Sequence, residues 1–160
     1  DWSSDVCSSD LSYLKKYNAE DRIMEFEESS ATVELAAHAA GVIPARIAKT
    51  LSFKKEDGCI LVVTAGDQKI DNSKFKKVFG MKAKMLTADE VITMTGYAVG
   101  GVCPFAIPKG VGIYLDESLR RFETVFPAAG NSSSAVRLTC QELEDYSKAD
   151  GWVDVCKPVI

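Results

Sequence analysis

Residues 47–65 read IAKTLSFKKEDGCILVVTA, two strand-like runs on either side of an Asp-Gly turn signal. The pattern over Ile47–Lys55 predicts a strand, and residues 56–58 predict a hairpin loop because Asp-Gly favours tight turns between strands. The second run, residues 59–65, is apolar on both faces, which is typical of a central strand covered on both sides. The middle of a sheet is therefore predicted at this hairpin.

The rest of the chain mixes helical and extended patterns. Helices are predicted at 12–18, 33–40, 72–80, 88–95 and 140–148, where Gly41 ends the second and Thr87 and Thr139 begin the last two. Strands are predicted at 23–27, 82–86, 112–116, 122–126, 135–139 and 152–156, with a turn or helical cap at 117–121. We expect one α/β domain with a mixed sheet.

Composition excludes several classes of protein. The chain has 160 residues, 46% hydrophobic and 26% charged, which is ordinary for a globular protein. No apolar run approaches the ~20 residues of a membrane span. Because no basic segment followed by an apolar one opens the sequence, we expect no secretory signal. Five cysteines without a CxxC pair and a single histidine, His38, argue against a zinc site. We expect no metal, no cofactor, no membrane partner and a cytoplasmic location.

The first eleven residues, DWSSDVCSSDL, have no period and no basic residue. The string resembles the in-frame translation of a sequencing-library adapter, so we expect residues 1–11 to be a non-native tail and residues 12–160 to form the domain. Without the tail, 20 acidic residues face 19 basic ones, a net charge of −1 instead of −4. The acidity of the whole chain is then no argument against a nucleic-acid partner.

Lys49 interrupts an apolar stripe. In a strand over Ile47–Lys55, it shares one face with Ile47, Leu51 and Phe53, and Thr50 lies on the other face. Burying an ammonium without a partner is costly. Two interpretations remain open: the stem packs while the head reaches solvent, or the lysine points inward at a carbonyl or phosphate oxygen of a ligand.

A glycine-rich stretch, Gly100-Gly101-Val102-Cys103-Pro104, follows the predicted helix at 88–95. Adjacent glycines permit close approach of a ligand to backbone N–H groups, although a tight surface turn is the commoner use. Cys103 as a nucleophile would need a base. The sole histidine, His38, lies on the predicted outer side of its helix, so a Cys103–His38 pair is disfavoured.

Charge is unevenly distributed along the sequence. Residues 54–84 carry a net +4 and residues 112–160 a net −3. A lysine-rich segment is either a solvated face or the footprint of a phosphate backbone. In the acidic part, Asp116 and Arg121 are predicted to form a structural ion pair.

Four runs in this order resemble the YbaK/EbsC family of aminoacyl-tRNA deacylases, which is related to the editing domain of bacterial prolyl-tRNA synthetases. The runs are SSATVELAAHAAGVIPARIAKTLSF, VVTAGDQKID, KAKMLTADEVITMTGYAVGGVCPF and YLDESLRRFETVFPAAG. The resemblance covers nearly all of 12–160 and implies a single α/β domain around a curved mixed sheet with flanking helices.

The resemblance also implies roles for individual residues. Lys49 matches the family's essential lysine, in a Lys-Thr pair with Thr50, and the family's Gly-x-x-x-Pro loop holds the aminoacyl group through its backbone. The implied substrate-binding positions are Thr50, Gly100, Gly101, Val102, Cys103, Pro104, Ala129 and Gly130. Cys103 and Ala128 stand where relatives often have serine, which bears on the amino acid accepted.

The implied activity is trans-acting hydrolysis of the ester of a mischarged tRNA, with Cys- or Ala-tRNA(Pro) as the expected substrate. The expected partners are the aminoacylated end of tRNA and prolyl-tRNA synthetase. The lysine-rich segment then becomes a candidate for contact with tRNA, through Lys54, Lys74, Lys76 and Lys77. Two alternatives are a non-catalytic tRNA- or synthetase-binding module on the same fold and a thiol hydrolase centred on Cys103.

Overall fold

The computed structural model describes residues 23–25, 33–56, 58–96, 102, 104–105, 107, 110–128 and 134–159. The predicted helix at 12–18 and the tail at 1–11 lie outside these residues. No helix in the described part of the chain is long and apolar enough to cross a membrane.

Strands and helices are interspersed along the described chain. The strands are β1 (Ile23–Glu25), β2 (Ile47–Lys55), β3 (Gly58–Ala65), β4 (Gln68–Ile70), β5 (Gly112–Asp116), β6 (Thr124–Pro127), β7 (Ser134–Val136), β8 (Leu138–Thr139), β9 (Gly151–Val153) and β10 (Cys156–Pro158). The helices are α1 (Val33–Ala40), α2 (Asn72–Phe79), α3 (Ala88–Thr95) and α4 (Cys140–Ser147), with 3-10 helices at Pro44–Arg46 and Glu117–Arg121.

Six strands form one mixed sheet in the order β8-β6-β2-β3-β5-β9. The predicted hairpin is confirmed at its centre: β2 and β3 pair antiparallel from Ala48 opposite Ala65 to Lys55 opposite Gly58. Parallel neighbours flank the hairpin, β6 beside β2 and β5 beside β3. The curled mixed sheet of a single α/β domain is therefore as predicted.

The two faces of the β2–β3 hairpin are covered by different helices. The lysine face is the one that carries Ile47, Lys49, Leu51 and Phe53 of β2; α1 packs around Ile47 and α2 packs around Phe53. The opposite face carries Ala48, Thr50, Ser52 and Lys54. It packs into a large apolar cluster that contains Leu143 of α4, and Val91 of α3 packs near its Lys54 end. The sheet thus lies between two helical layers.

Local capping signals act as predicted. The side chain of Thr87 accepts a hydrogen bond from the Glu90 N–H, and Thr139 does the same with Glu142, so each helix begins with a capping box. Gly41 follows α1 with a φ of 72° in the left-handed region. Pro44 begins the short 3-10 helix that leads into β2.

Four predicted strands differ in the structure. Residues 82–86 contain an isolated bridge from Met85 to Phe53 rather than a strand. Residues 135–139 are divided between β7, which pairs with β1, and β8, which pairs with β6. The strand expected at 122–126 is shifted to Thr124–Pro127, and the one expected at 152–156 is divided into β9 and β10. The sequence analysis missed β4, which pairs with β10.

Candidate functional site

Lys49 lies on β2 between two apolar clusters of the lysine face. Ile47 belongs to the cluster with Ala36 and Phe126, whereas Phe53 belongs to the cluster with Phe75. Opposite Lys49 across the hairpin stands Thr64, which is fully buried. The side chain of Lys49 is therefore half-buried at a polar break in an otherwise apolar face.

The ammonium of Lys49 has a definite partner. Its Nζ donates a hydrogen bond to the backbone carbonyl of Gln68, the first residue of β4. Burial lowers the pKa of Lys49, and the nearby side chains of Cys156, Glu34 and Asp67 act against that shift. An ammonium carries three N–H donors, and the Gln68 carbonyl occupies one of them.

The Gln68 carbonyl belongs to a tightly held turn between β3 and β4. Gly66 is required here because a Cβ would lie 2.1 Å from the carbonyl oxygen of Pro44. The Ala65 N–H donates to the Ser118 hydroxyl at 3.3 Å, and the Val159 N–H donates to the Asp67 carbonyl at 3.0 Å. Packing and hydrogen bonds therefore fix the turn on several sides.

Arg121 anchors the same turn through its side chain. Its two terminal nitrogens donate to the two carboxylate oxygens of Asp67 at 3.0 and 2.6 Å, and its Nε donates to the Ser118 carbonyl at 2.8 Å. These hydrogen bonds hold the pKa of Asp67 below its usual value. The pairing is a bidentate fork, the most specific geometry between arginine and a carboxylate.

The predicted ion pair between Asp116 and Arg121 is wrong. Asp116 is 1% exposed and accepts hydrogen bonds at 2.9 Å from the N–H groups of Ser118 and Val155. The carboxylate of Asp116 thus caps the 3-10 helix and secures the segment before β10. Arg121 instead turns to Asp67, which lies 54 positions away in sequence.

Thr50 lies on the opposite face of β2, and its hydroxyl oxygen is buried with no hydrogen-bond partner among the described residues. Pro104 is buried, and Val102 packs against the apolar cluster of that face, which includes Ala48 and Phe105. Val102, one of the two described residues of the glycine-rich loop, therefore packs on the side of Thr50. The remaining predicted substrate-binding residues, Gly100, Gly101, Cys103, Ala129 and Gly130, lie outside the described residues.

Described cysteines do not resemble activated nucleophiles. Cys59, Cys140 and Cys156 are free thiols, and burial raises the pKa of each. A raised pKa favours the unreactive thiol over the thiolate. His38 is exposed on α1, as predicted. Within the described ranges, no cluster of histidine, cysteine and acidic side chains is suited to a metal ion.

The four lysines predicted to contact tRNA fall into two groups. Lys54 forms an ion pair with Glu90 at 3.2 Å, and Lys74 forms one with Asp154 at 3.2 Å. Lys76 and Lys77 are exposed in the last turn of α2. A groove of about 380 Å³ runs beside α2 and is lined by Asn72, Ser73, Lys76, Lys82 and Ala83.

The lysine-rich helix and Lys49 lie on the same side of the sheet. Phe75 of α2 packs against Phe53 of β2, with ring centroids 4.8 Å apart. Lys74 donates to the carbonyl of Cys156 at 3.0 Å, and the side chain of Cys156 is a neighbour of Lys49. The structure thus brings two of the sequence-predicted features, the lysine and the basic segment, to one face.

Sequence reasoning missed Gln68 as the partner of Lys49, and also missed the pair of Asp67 and Arg121 that holds the same turn. A signal for Asp67 and Gln68 exists, because Gly66-Asp67 directly follows the apolar run at 59–65 and predicts a turn. No local signal joins Arg121 to this turn.

Fold and site together define the class of protein. The single curled mixed sheet is the fold of YbaK-type editing domains. Residues 27–146 match the aminoacyl-tRNA editing domain family, and the chain belongs to this family.

Relatives and solved structures agree with this assignment. The chain is 52% identical over 146 residues to the uncharacterized protein YwhH of Bacillus subtilis strain 168, covering 91% of this chain and 93% of that protein. It is 29% identical over 120 residues to a protein of Enterococcus faecalis strain V583 provisionally named Cys-tRNA(Pro)/Cys-tRNA(Cys) deacylase EbsC, covering 74% of this chain and 73% of the relative. A crystal structure provisionally described as a trans-editing enzyme for prolyl tRNA synthetase superposes with a TM-score of 0.83 at 29% identity, covering 92% of this chain and 94% of that one.

Proposed function

We propose that the protein is a trans-acting aminoacyl-tRNA deacylase that hydrolyses the ester of mischarged tRNA(Pro), with cysteine or alanine as the amino acid. The observation that carries the proposal is Lys49, whose half-buried ammonium is held by the Gln68 carbonyl in a chain of the editing-domain family. The provisional name of the Enterococcus relative supports cysteine as one of the two amino acids. We place the reaction in the cytoplasm, where tRNA is charged.

Hydrolysis of an aminoacyl ester requires few catalytic groups. An aminoacyl ester is already activated, so positioning of the substrate and stabilisation of the developing oxyanion suffice. Lys49 donates one N–H to the Gln68 carbonyl and keeps two donors for the substrate. These can bind an oxygen of the substrate, either the ester carbonyl or a phosphate of the terminal adenosine. The attacking group is water, which releases the free amino acid and the tRNA hydroxyl. When the amino acid is cysteine, its own thiol is the alternative: it displaces the tRNA hydroxyl from the ester carbon and forms a cyclic thioester, which water then opens.

Recognition of the amino acid falls to the other predicted positions. The Gly100 and Gly101 amides, together with Val102, Cys103 and Pro104, are proposed to hold the aminoacyl group through the backbone. The Ala129-Gly130 turn completes this set. Thr50, next to Lys49 on β2, is proposed as a further polar contact through its hydroxyl, which has no partner among the described residues.

The tRNA is proposed to approach along α2. Lys76 and Lys77 are exposed there, on the same side of the sheet as Lys49, and are suited to a phosphate backbone. Lys74 already has an acidic partner, so an incoming phosphate must compete with Asp154, whereas Lys54 lies on the opposite face of β2 and pairs there with Glu90. Prolyl-tRNA synthetase is the proposed protein partner, since the crystal structure that matches this chain is described as a trans-editing enzyme for it.

The direct test is deacylation of preformed Cys-tRNA(Pro), Ala-tRNA(Pro) and Pro-tRNA(Pro) by the full chain and by Lys49→Ala. We expect hydrolysis of a mischarged species, spared Pro-tRNA(Pro), and a loss of about 10²–10³-fold in the variant, the usual cost of one oxyanion donor. Lys55→Ala is the matched control, because Lys55 lies on the same strand and the same face but is exposed.

Four results would count against the proposal. Absence of turnover on every mischarged tRNA would reject it, as would full activity of Lys49→Ala. Binding of tRNA or of the synthetase without ester loss would favour the non-catalytic module instead. Alkylation of Cys103 that abolishes turnover, while Lys49→Ala does not, would favour the thiol hydrolase.

A further inference from the structure

We propose that Asp67 and Arg121 are positioning residues for Lys49: their bidentate pair fixes the turn that receives the lysine and prevents Asp67 from capturing its ammonium. This inference rests on the proposed function of Lys49. It adds two residues that act through the lysine and do not touch the substrate.

The pair fixes the turn mechanically. Gln68, whose carbonyl accepts from the Lys49 Nζ, is the next residue after Asp67. Asp67 is tied to Arg121 by two hydrogen bonds, and Arg121 is tied in turn to the Ser118 carbonyl. A chain of contacts therefore runs from the 3-10 helix at Glu117–Arg121 to the acceptor of the lysine.

The pair also acts electrostatically. The Asp67 carboxylate lies close enough to Lys49 to favour its charged form, as do the side chains of Glu34 on α1 and Cys156 on β10. An unpaired carboxylate one residue from the lysine's hydrogen-bond acceptor would compete with the substrate for the ammonium. The two terminal nitrogens of the Arg121 guanidinium donate to both oxygens of Asp67. A planar guanidinium can make this bidentate contact, whereas the single ammonium of a lysine lacks that geometry.

A neighbouring arginine shows what a purely structural role looks like. Arg120 belongs to the same 3-10 helix, pairs with Glu117 at 2.8 Å and stacks on Trp152 at 4.1 Å. Arg120 does not pair with any of the acidic side chains that act on Lys49. Arg120→Gln therefore matches Arg121→Gln in chemistry and location while leaving Asp67 paired.

The test compares Arg121→Gln, Asp67→Asn, the double variant and Arg120→Gln in deacylation assays across pH. In Arg121→Gln, we expect kcat to fall about 10–100-fold, the scale of a misplaced catalytic group, with KM changed less. Asp67→Asn also loosens the turn but removes the competing charge, so it should lose less. The double variant should return to the level of Asp67→Asn, and Arg121→Lys should restore part of the activity.

A second measurement does not depend on activity. The rate at which an amine-acylating reagent modifies Lys49, followed by mass spectrometry as a function of pH, reports the pKa of Lys49. We expect that pKa to rise in Arg121→Gln and to return in the double variant, with no change in Arg120→Gln.

The results separate this inference from the proposed function. Wild-type kcat in Arg121→Gln would overturn the positioning role, and a double variant as impaired as Arg121→Gln would overturn the electrostatic role of the pair. An unchanged labelling profile in Arg121→Gln would overturn the electrostatic part. Should Lys49→Ala retain full activity, the proposed function fails, while the labelling profile still decides whether Asp67 and Arg121 control the lysine.

Discussion

The two faces of the β2–β3 hairpin have different compositions and different consequences. The opposite face packs Ala48, Val63 and Leu115 into one continuous apolar cluster, with Val63 and Leu115 fully buried. On the lysine face, Lys49 and Thr64 separate two smaller clusters. One face thus supplies the largest apolar cluster among the described residues, and the other interrupts its apolar contacts to hold an ammonium.

The two faces of the hairpin separate residues that stabilise the fold from residues of the candidate site. Strands alternate their side chains between faces, so a single pair of strands carries both a core and a polar site one residue apart. Substitutions at adjacent positions should therefore act on different properties. Those on the opposite face should change the free energy of unfolding, and those around Lys49 should change chemistry more than stability.

The largest expected effect is in the apolar cluster. Leu115→Ala removes a fully buried side chain and should lower the free energy of unfolding by about 2–5 kcal/mol, through lost burial and a residual cavity. Denaturant unfolding measures the change. Leu35→Ala, at a position 42% exposed on α1, is the control and should stay within about 0.5 kcal/mol. Equal losses in both variants would contradict the assignment of the core to this face.

The next effect tests the turn that holds Lys49. In Gly66→Ala the new Cβ would lie 2.1 Å from the Pro44 carbonyl oxygen, so the turn must move at a cost of about 1–3 kcal/mol. Because the Gln68 carbonyl moves with it, deacylation should also fall. Gly151→Ala is the matched control, since a Cβ there meets nothing within 4 Å. If Gly66→Ala and Gly151→Ala have the same free energy of unfolding, the turn accommodates the added Cβ without losing stability.

Several features of the hairpin and its surroundings can be predicted from the sequence. The Asp-Gly hairpin, the caps at Thr87 and Thr139 and the apolar stripe around Lys49 are local patterns, and the structure confirms each of them. Local patterns work here because the residues that form each feature are within a few positions of one another.

Long-range partners were not predictable in the same way. Asp116 and Arg121 are near in sequence and opposite in charge, yet burial turns Asp116 to backbone N–H groups and leaves Arg121 for Asp67. The short strand β4 was missed because its three residues gain their pairing from β10, almost ninety positions later. Residues 82–86 look like a strand by composition, but only Met85 finds a bridge. Each outcome is decided by a distant segment.

A smaller effect concerns Thr50 on the opposite face. Its buried hydroxyl has no partner among the described residues, and an unpartnered buried hydroxyl costs about 1–3 kcal/mol. Thr50→Val keeps the shape and should raise the free energy of unfolding by about 1 kcal/mol. If the hydroxyl also binds the aminoacyl group, kcat/KM falls in the same variant.

Thr64→Val is the matched control for Thr50, because Thr64 is fully buried on the lysine face but donates to the Ala65 carbonyl at 3.4 Å. This variant loses a hydrogen bond, so it should not be stabilised. A Thr50→Val protein less stable than wild type would show that the hydroxyl already has a partner.

The smallest effect is the pH dependence of stability contributed by Lys49 itself. Burial puts the pKa of Lys49 in the folded protein below its ordinary value of 10.5, so the unfolded chain binds this proton more tightly than the folded one. Stability from this group therefore rises as pH increases from the folded pKa towards 10.5, and it is lowest when the lysine is charged in both states. Lys49→Met should be more stable than wild type near neutral pH, and its advantage should shrink as pH rises. Urea unfolding of both proteins between pH 7 and 10 measures this difference, and Lys55→Met provides the exposed control. If the difference in unfolding free energy between Lys49→Met and wild type stays constant or widens with pH, burial does not lower the pKa of Lys49. The site would then not disfavour the charged ammonium, and the contrast between the two faces of the hairpin would be lost.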